Sequence, residues 1–211
     1  ILKKHNLELA AVGTGAGKVI HGMTLTDPNP EIRKKAISFI SEMMAFGATF
    51  GAPAIIGSMQ GNVLPGKDRE LTLSWLAEAL EILGEKAQEL ETFLIYEPLN
   101  RYETNLMNTL QAGVEFLEKL ETKQVKLLAD LFHMNIEERN ITKTIQNSSK
   151  FLSHIHFADN TRRCPGEGSI DFNKIISILK GIGYSGYISA EVLSEPNSAY
   201  CIKQFITYMK K

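Results

Sequence analysis

The chain has 211 residues, of which 44% are hydrophobic and 22% are charged, a composition typical of a globular protein with a hydrophobic core. Its net charge of −1, from 23 basic and 24 acidic residues, gives no basic excess for binding nucleic acid. No apolar run approaches the roughly 18 residues of a membrane helix, and Cys164 and Cys201 are too few for a disulfide framework. We therefore expect a single cytoplasmic domain over residues 1–211, with no nucleic-acid or membrane partner.

Short β-rich runs alternate with longer amphipathic segments along the whole chain. The predicted strands are Leu7–Val12, Pro53–Gly57, Phe93–Glu97, Val125–Asp130, Leu152–Phe157 and Gly186–Val192. The predicted helices are Pro30–Phe46, Glu70–Leu90, Leu106–Leu120, Ile141–Ser148, Asp171–Ile182 and Ser198–Met209. Asn29, directly before Pro30, and Asp171 are residues typical of helix N-caps.

Strict alternation of strands and helices predicts an α/β fold in which parallel strands are joined by crossover helices. Six strand–helix units would fit either an open sheet or an incomplete barrel, since a closed eight-unit barrel normally needs about 250 residues. The opening segment ILKKHN reads as the end of a helix that leads into a strand. We therefore expect a (β/α)8 TIM barrel that lacks its first two strand–helix units, with an open sheet as the alternative.

Four consecutive predicted strands end in a side chain that can bind a metal, namely Glu97, Asp130, His156 and Glu191. Parallel strands place these ends at one edge of the sheet, where α/β enzymes build their sites. Three carboxylates and one imidazole suit Mg²⁺, Mn²⁺ or Co²⁺. A single carboxylate at a strand end is most often a helix cap, but four such residues in successive strands predict a metal site.

The other polar groups near these strand ends are of two kinds. Side chains in the loops that follow the strands can contact a substrate; they include Asn100, Glu103, His133, Asp159 and Arg162. We expect Glu137, Glu138 and Arg163 to lie in solvated turns, and His154 to be a hydrogen-bonded core residue rather than a further metal ligand.

The glycine-rich segment Gly13–Lys18 does not match a nucleotide-binding motif. A dinucleotide fingerprint would need glycine where Lys18 stands, and a P-loop would need serine or threonine where Val19 stands. We expect a flexible loop at a strand end, lying over a pocket.

Several sequence strings resemble the sugar isomerase/epimerase superfamily, whose fold is the xylose isomerase-like TIM barrel. They are EPLNRYETN, DLFHMNIEE, HIHFADNTRRCPGEG and SAEVL, and they most resemble ketose 3-epimerases of the D-tagatose and D-psicose type and their keto-sugar-acid relatives. The resemblance implies that Glu97, Asp130, His156 and Glu191 are metal ligands, with Glu97 and Glu191 also acting as acid and base. It further implies that His133, Arg162 and Glu103 hold the substrate, and that the chain can form a dimer or tetramer.

The expected reaction is epimerisation at the carbon next to a ketone. A divalent cation can stabilise the cis-enediolate that forms when this carbon loses its proton, and two carboxylates can exchange the proton on opposite faces. The segment Phe-Ala-Asp after His156 replaces the Gly-Glu pair usual in tagatose-type enzymes. This difference moves weight from free ketohexoses toward keto-sugar acids such as ketogluconates.

Three alternatives remain at this point. An aldose–ketose isomerase or an inosose-type dehydratase could use the same barrel and the same ligands. An abasic-site endonuclease would need more histidines than the five present, together with a basic surface. A non-catalytic binding protein would retain the metal without turnover.

Overall fold

The computed structural model describes residues 1–210, in which a parallel six-stranded sheet alternates with helices. The strands are β1 (Val12–Gly13), β2 (Ala54–Ile56), β3 (Leu94–Tyr96), β4 (Val125–Asp130), β5 (Leu152–His156) and β6 (Tyr187–Ser189). The helices are α1 (Leu2–His5), α2 (Ala16–His21), α3 (Pro30–Ala48), α4 (Arg69–Glu89), α5 (Leu110–Leu117), α6 (Leu131–Glu137), α7 (Ile141–Asn147), α8 (Phe172–Gly181) and α9 (Ser198–Met209). None of these helices is long and apolar enough to cross a membrane.

The strands pair in chain order from β1 to β6, and every neighbouring pair is parallel. A doubly wound sheet reverses its strand order part-way, so this sequential order is the winding of a barrel. The segment before β1 contacts β6, at the other edge of the sheet, since the Tyr187 hydroxyl donates to the Glu8 carboxylate over 2.6 Å. The (β/α) barrel predicted from the sequence is confirmed in the form of a six-stranded parallel half-barrel.

The core lies between the sheet and its covering helices. Helix α3 buries Ala36, Ile40 and Met44 at four-residue spacing, which places one helical stripe against the sheet. Helix α4 does the same through Leu76, Leu80, Leu83 and Ala87. Burial of these apolar side chains supplies the main driving force that holds the strands in place.

The helix starts follow local capping chemistry. The Asn29 side chain accepts a hydrogen bond from the backbone N–H of Glu31, and Asp171 accepts one from the N–H of Lys174, so both predicted caps are confirmed. Thr109 caps α5 by accepting from the N–H of Ala112. Helix α5 therefore starts at Leu110, and the predicted start at Leu106 was wrong.

Several other predicted boundaries differ from the structure, chiefly at the edges of the sheet. Only Val12 and Gly13 pair with β2, and Leu7 is 59% exposed, so the predicted strand Leu7–Val12 was mostly wrong. Strand β6 covers Tyr187–Ser189 and is therefore shorter than the predicted strand Gly186–Val192. Helix α6 was missed altogether.

Truncating a fully buried leucine of α4 tests this account of the core. We expect Leu80→Ala to lower the free energy of unfolding by about 2–5 kcal/mol, because it leaves a cavity among packed side chains. Leu71→Ala in the same helix is the matched control, since Leu71 is 49% exposed and should change stability by no more than about 0.5 kcal/mol. Urea unfolding measures both, and equal losses would contradict this description of α4.

Candidate metal centre

Four side chains at the carboxyl ends of β3 to β6 converge on one point. Asp130 and His156 are the last residues of β4 and β5, Glu97 directly follows β3, and Glu191 lies two residues beyond β6. One potential ligand atom from each of them lies within 4.8 Å of all the others. The structure thus brings together the four residues that the sequence analysis selected.

The Nδ1 atom of His156 lies near the middle of the three carboxylates. It is 2.9 Å from Glu191 Oε2, 3.4 Å from Glu97 Oε1 and 3.4 Å from Asp130 Oδ2. Adjacent ligands of an octahedral ion with bonds of roughly 2.1 Å are about 3 Å apart. The spacing of these atoms is therefore close to that of ligands around one small cation.

The two carboxylate oxygens of Asp130 have different environments. Oδ1 accepts hydrogen bonds from the backbone N–H groups of Phe132 (2.8 Å) and His133 (3.3 Å), which caps helix α6. Oδ2 points toward the cluster and has no hydrogen-bond partner among residues 1–210. Asp130 is thus both a helix cap and a candidate metal ligand, with one carboxylate oxygen for each role.

Glu97 is buried, and a glycine makes room for its carboxylate. A Cβ atom at Gly57, directly after β2, would lie 2.7 Å from Glu97 Oε2. The buried Gln60 amide joins the ends of these strands by donating to the backbone oxygens of Gly57 and Glu97, and its own oxygen accepts from the Tyr96 hydroxyl. This packing fixes Glu97 without using its carboxylate.

The unpartnered atoms of the cluster fit a bound cation. Glu97 Oε1, Asp130 Oδ2 and His156 Nδ1 are all buried and lack hydrogen-bond partners within the described part of the chain. Burying such atoms is costly unless another group satisfies them. Three carboxylate oxygens and an imidazole nitrogen form a donor set suited to Mn²⁺, Mg²⁺ or Co²⁺. The residues present therefore fit a divalent metal.

Burial and mutual charge shift the pKa values of these groups in different directions. Burial raises the pKa of Glu97 to about 7, whereas the close approach of the His156 imidazole lowers the pKa of Glu191 to about 2. Burial alone would lower the pKa of His156, but the adjacent carboxylates of Asp130, Glu191 and Glu97 outweigh burial and raise the pKa to about 11. Without a metal, a protonated His156 thus offsets the negative charge of the carboxylates.

Three residues of the cluster, Glu97, His156 and Glu191, line a cavity of about 220 Å³. Its other lining residues include the three candidate substrate-binding side chains, His133, Arg162 and Glu103. His133 Nδ1 accepts from the backbone N–H of Asn100 at 3.3 Å, so the neutral ring carries its proton on Nε2. Burial lowers the pKa of His133, which favours the neutral ring. Its Nε2 atom lies 4.0 Å from Asp130 Oδ2 and 3.5 Å from the Arg162 guanidinium.

Arg162 reaches the cavity from the loop between β5 and α8. Its guanidinium is 3.5 Å from both Glu191 Oε2 and His133 Nε2, and it lies over the ring of Phe132 at 4.7 Å. These contacts place a positive charge at the rim of the cavity beside the half-exposed Glu191. The arrangement can hold an electron-rich oxygen of a polar ligand.

Four residues outside the cluster had a predicted environment. His154 is a core residue, as predicted: it is hydrogen-bonded to Ser189, and burial lowers its pKa to about 4. Arg163 is half-exposed and pairs with Glu195. The prediction of solvated turns was wrong for Glu137, which accepts from Arg101 and is 7% exposed, and for Glu138, which accepts from the N–H of Leu110.

The glycine-rich segment was predicted only in part. Gly13, Thr14 and Gly15 do line the cavity, but Ala16–Lys18 form the first turn of α2. The sequence analysis did not select Gly57. The one sequence signal for it is its position at the end of β2, the neighbour of the strand that carries Glu97.

The whole chain, residues 1–211, matches the model of the family described as "Xylose isomerase-like TIM barrel". The chain belongs to this family. The predicted superfamily resemblance is thereby confirmed.

Family members with known names are similar over part of their length. The D-psicose 3-epimerase of Ruminiclostridium cellulolyticum is 30% identical over 196 residues, which cover 89% of this chain and 67% of that enzyme. The 3-dehydro-D-guloside 4-epimerase of Escherichia coli is 34% identical over 116 residues, covering 55% of this chain and 44% of that enzyme. The chain therefore spans about two thirds or less of these relatives.

Solved structures show the same fold. A 3-keto-D-glucoside 4-epimerase from E. coli aligns with a TM-score of 0.88 at 23% identity, over 100% of this chain and 82% of that one. A D-psicose 3-epimerase from Clostridium cellulolyticum H10 aligns with a TM-score of 0.77 at 27% identity, over 91% of this chain and 66% of that one. The family fold therefore extends through the strands that carry the cluster.

Removing the charge of Asp130 tests the metal centre. Asp130→Asn keeps an oxygen that can cap α6 but loses the negative ligand, so we expect Mn²⁺ binding to weaken by about tenfold or more. Substituting a residue that only supports a metal ligand already lowers metal affinity by about 10–100-fold. Asp68→Asn is the matched control, since Asp68 caps α4 by accepting from Leu71. Calorimetric titration measures both, and undiminished Mn²⁺ affinity in Asp130→Asn would rule out this centre.

The space at Gly57 provides a second test. Gly57→Ala puts a methyl group against the Glu97 carboxylate, and we expect the displaced ligand to weaken Mn²⁺ binding by about tenfold, as for other disturbed ligand supports. A Cβ at Gly13, on the same cavity wall, meets no atom within 4 Å, so Gly13→Ala should bind Mn²⁺ as the unmodified chain does. The same titration applies, and equal affinities for the two variants would show that Gly57 does not set the position of Glu97.

Proposed function

We propose that this chain is a divalent-metal-dependent epimerase of a ketose or keto-sugar acid. The observation that carries the proposal is the placement of two glutamates beside one cavity. Glu97 follows β3 and Glu191 follows β6, with β4 and β5 between them in the sheet. Two carboxylates that enter from different strands can serve opposite faces of one carbon atom.

Epimerisation requires a proton to leave one face of a carbon and another proton to arrive on the opposite face. One of the two glutamates acts as the base for the first step, and the other, as a carboxylic acid, supplies the proton for the second. Which glutamate acts first depends on the stereoisomer that binds.

The carbon that loses its proton must lie next to a ketone, because the charge then spreads onto the ketone oxygen. A divalent cation held by Glu97, Asp130, His156 and Glu191 would supply the Lewis acid for this charge. The proton on His133 Nε2 can donate to a substrate oxygen, and Arg162 and Glu103 at the same cavity can bind hydroxyl or carboxylate groups of the sugar.

The names of the relatives support the reaction type. D-Psicose is a 2-ketose and is epimerised at carbon 3, while the 3-dehydro-guloside is epimerised at carbon 4. In both cases the carbon that is inverted is next to the ketone. Because the chain spans only part of these relatives, its own activity is inferred from the site. Use of manganese, a cytoplasmic location and assembly into a dimer or tetramer stay predictions.

Proton NMR of deuterium uptake tests the reaction. The chain is incubated with Mn²⁺ in D₂O and a panel of ketohexoses, ketopentoses and ketogluconates, and we expect deuterium at the inverted carbon next to the ketone. Deuterium at carbon 1 or 2 with an aldose product would replace the proposal with an aldose–ketose isomerase. Mn²⁺ binding with no uptake from any substrate would contradict the proposal and favour a binding protein.

Amide substitutions test the two glutamates. Glu97→Gln and Glu191→Gln should each lower kcat by about 10²–10⁴-fold, the usual contribution of a general acid or base. Glu115→Gln is the control, since Glu115 is an exposed residue of α5 whose carboxylate accepts a hydrogen bond from Gln111. Steady-state rates and circular dichroism are measured for all three variants. Full activity in either site variant with an intact fold would exclude that glutamate as an acid or base.

A further inference from the structure

A further buried carboxylate, Asp159, lies outside the metal cluster in the loop between β5 and α8. It has no exposed surface, and its two oxygens accept hydrogen bonds from four backbone N–H groups of the same loop. These donors are Asn160 (2.9 Å) and Ile170 (3.1 Å) on Oδ1, and Gly166 (3.0 Å) and Gly168 (2.9 Å) on Oδ2. Each oxygen thus has two donors, which leaves little capacity to bind a metal or a substrate.

The backbone of Asp159 is used as well. Its N–H donates to the carbonyl of Arg163, and its own carbonyl accepts from the N–H of Arg162. A single residue therefore ties both ends of the loop, 160–163 and 166–170, to one point. Hydrogen bonds to a charged acceptor are stronger than those between neutral groups, so this arrangement defines the conformation of the loop.

The glycines of the loop allow its backbone to approach Asp159. A Cβ at Gly168 would lie 2.3 Å from Asp159 Oδ1 and 2.0 Å from Asn160 Oδ1. Gly166 has a φ of +93°, a conformation that other residues rarely adopt. The two glycines of PGEGS, at 165–169, thus let the backbone N–H groups of this segment reach the Asp159 carboxylate.

Arg162 is the residue that this loop presents to the cavity. It adopts a φ of +56°, which is uncommon outside glycine and is held here by the surrounding hydrogen bonds. Its guanidinium lies 3.5 Å from Glu191 and from His133. A change in the loop conformation would move this charge away from the acid–base glutamate.

We infer that Asp159 is a positioning residue that sets the conformation of the 159–170 loop and, through it, the place of the Arg162 guanidinium in the cavity. The effect on substrate binding rests on the proposed function, whereas the effect on the loop and on Arg162 does not. The hydrogen bonds that the structure gives Asp159 within residues 1–210 all go to residues of its own loop, which includes Arg162. We therefore expect Asp159 to act on the reaction through Arg162.

The loop is tested first, by hydrogen exchange. Asp159→Asn has one acceptor oxygen instead of two, so some of the four N–H groups lose their partner. We expect exchange across 160–170 to accelerate by about tenfold or more, given the strength of hydrogen bonds to a charged group, while strand β5 exchanges as before. Asp171→Asn is the matched control, since Asp171 accepts a single bond from Lys174 and asparagine caps helices equally well. Unchanged exchange in 160–170, or equal acceleration throughout the chain, would overturn the inference.

Kinetics then test whether Asp159 acts through Arg162. We expect kcat/KM to fall by about 10²-fold in Asp159→Asn, the usual cost of a misplaced group, mainly through a higher KM. In the Arg162→Ala background the same substitution should change kcat/KM by less than about twofold, because the group that it positions is gone. Independent, additive losses would show that Asp159 does not act through Arg162 and would overturn the inference.

Two further measurements keep the inference testable if a variant or the proposed reaction fails. Should Asp159→Asn not fold, Gly168→Ala disturbs the same contact and should give the same exchange pattern. Should the unmodified chain turn over no sugar, the proposed function fails, and a crystal structure of the variant decides instead. Arg162 displaced from Glu191 and His133 would support the inference, and Arg162 retained within about 3.5 Å of both would overturn it.

Discussion

Repulsion between like charges is the constraint on which the site depends. Three carboxylates converge on one imidazole nitrogen at distances of 2.9–3.4 Å, and their mutual repulsion in a largely buried place is severe. Positive charge must offset it. A protonated His156 can do so, and a divalent cation would do so more fully while satisfying the atoms that lack partners.

The rest of the fold supplies the positions that this constraint requires. Sequential pairing of β3 to β6 brings together residues as distant in sequence as Glu97 and Glu191. Leucine-rich helices hold the sheet from outside, and Gly57 leaves space for one carboxylate inside. Asp130 Oδ1, the oxygen that faces away from the cluster, caps the start of α6, and this helix carries His133. Asp130, at the carboxyl end of a strand, thus contributes both to the fold and to the candidate metal centre.

The loops beyond the strands add a second layer of order around the cluster. The backbone N–H of Asn100 selects the tautomer of His133, and Asp159 organises the loop that bears Arg162. The tautomer of His133 and the position of Arg162 both depend on backbone N–H groups. The directions of these groups are fixed once the loop conformation is set. Such an arrangement gives a polar ligand donors in defined places before it binds, which is the usual basis of precise substrate orientation.

The sequence predicted the parts of this arrangement that have a local signature. Apolar runs ending in Glu97, Asp130 and His156 indicated both the strands and the ligands, and alternation of elements indicated the winding. Helix α6 was missed because it is short and follows Asp130 directly, which left no loop to mark its start. The role of Glu137 depends on Arg101, 36 residues earlier, and the contacts of Asp159 depend on positive φ angles; periodicity reveals neither.

Anomalous diffraction from crystals of the chain grown with Mn²⁺ tests the central claim most directly. The account predicts one strong manganese peak bonded to Glu97, Asp130, His156 and Glu191, with bond lengths of roughly 2.1–2.3 Å. A peak at another place, or none at this place with His156 remaining paired to the carboxylates, would contradict it.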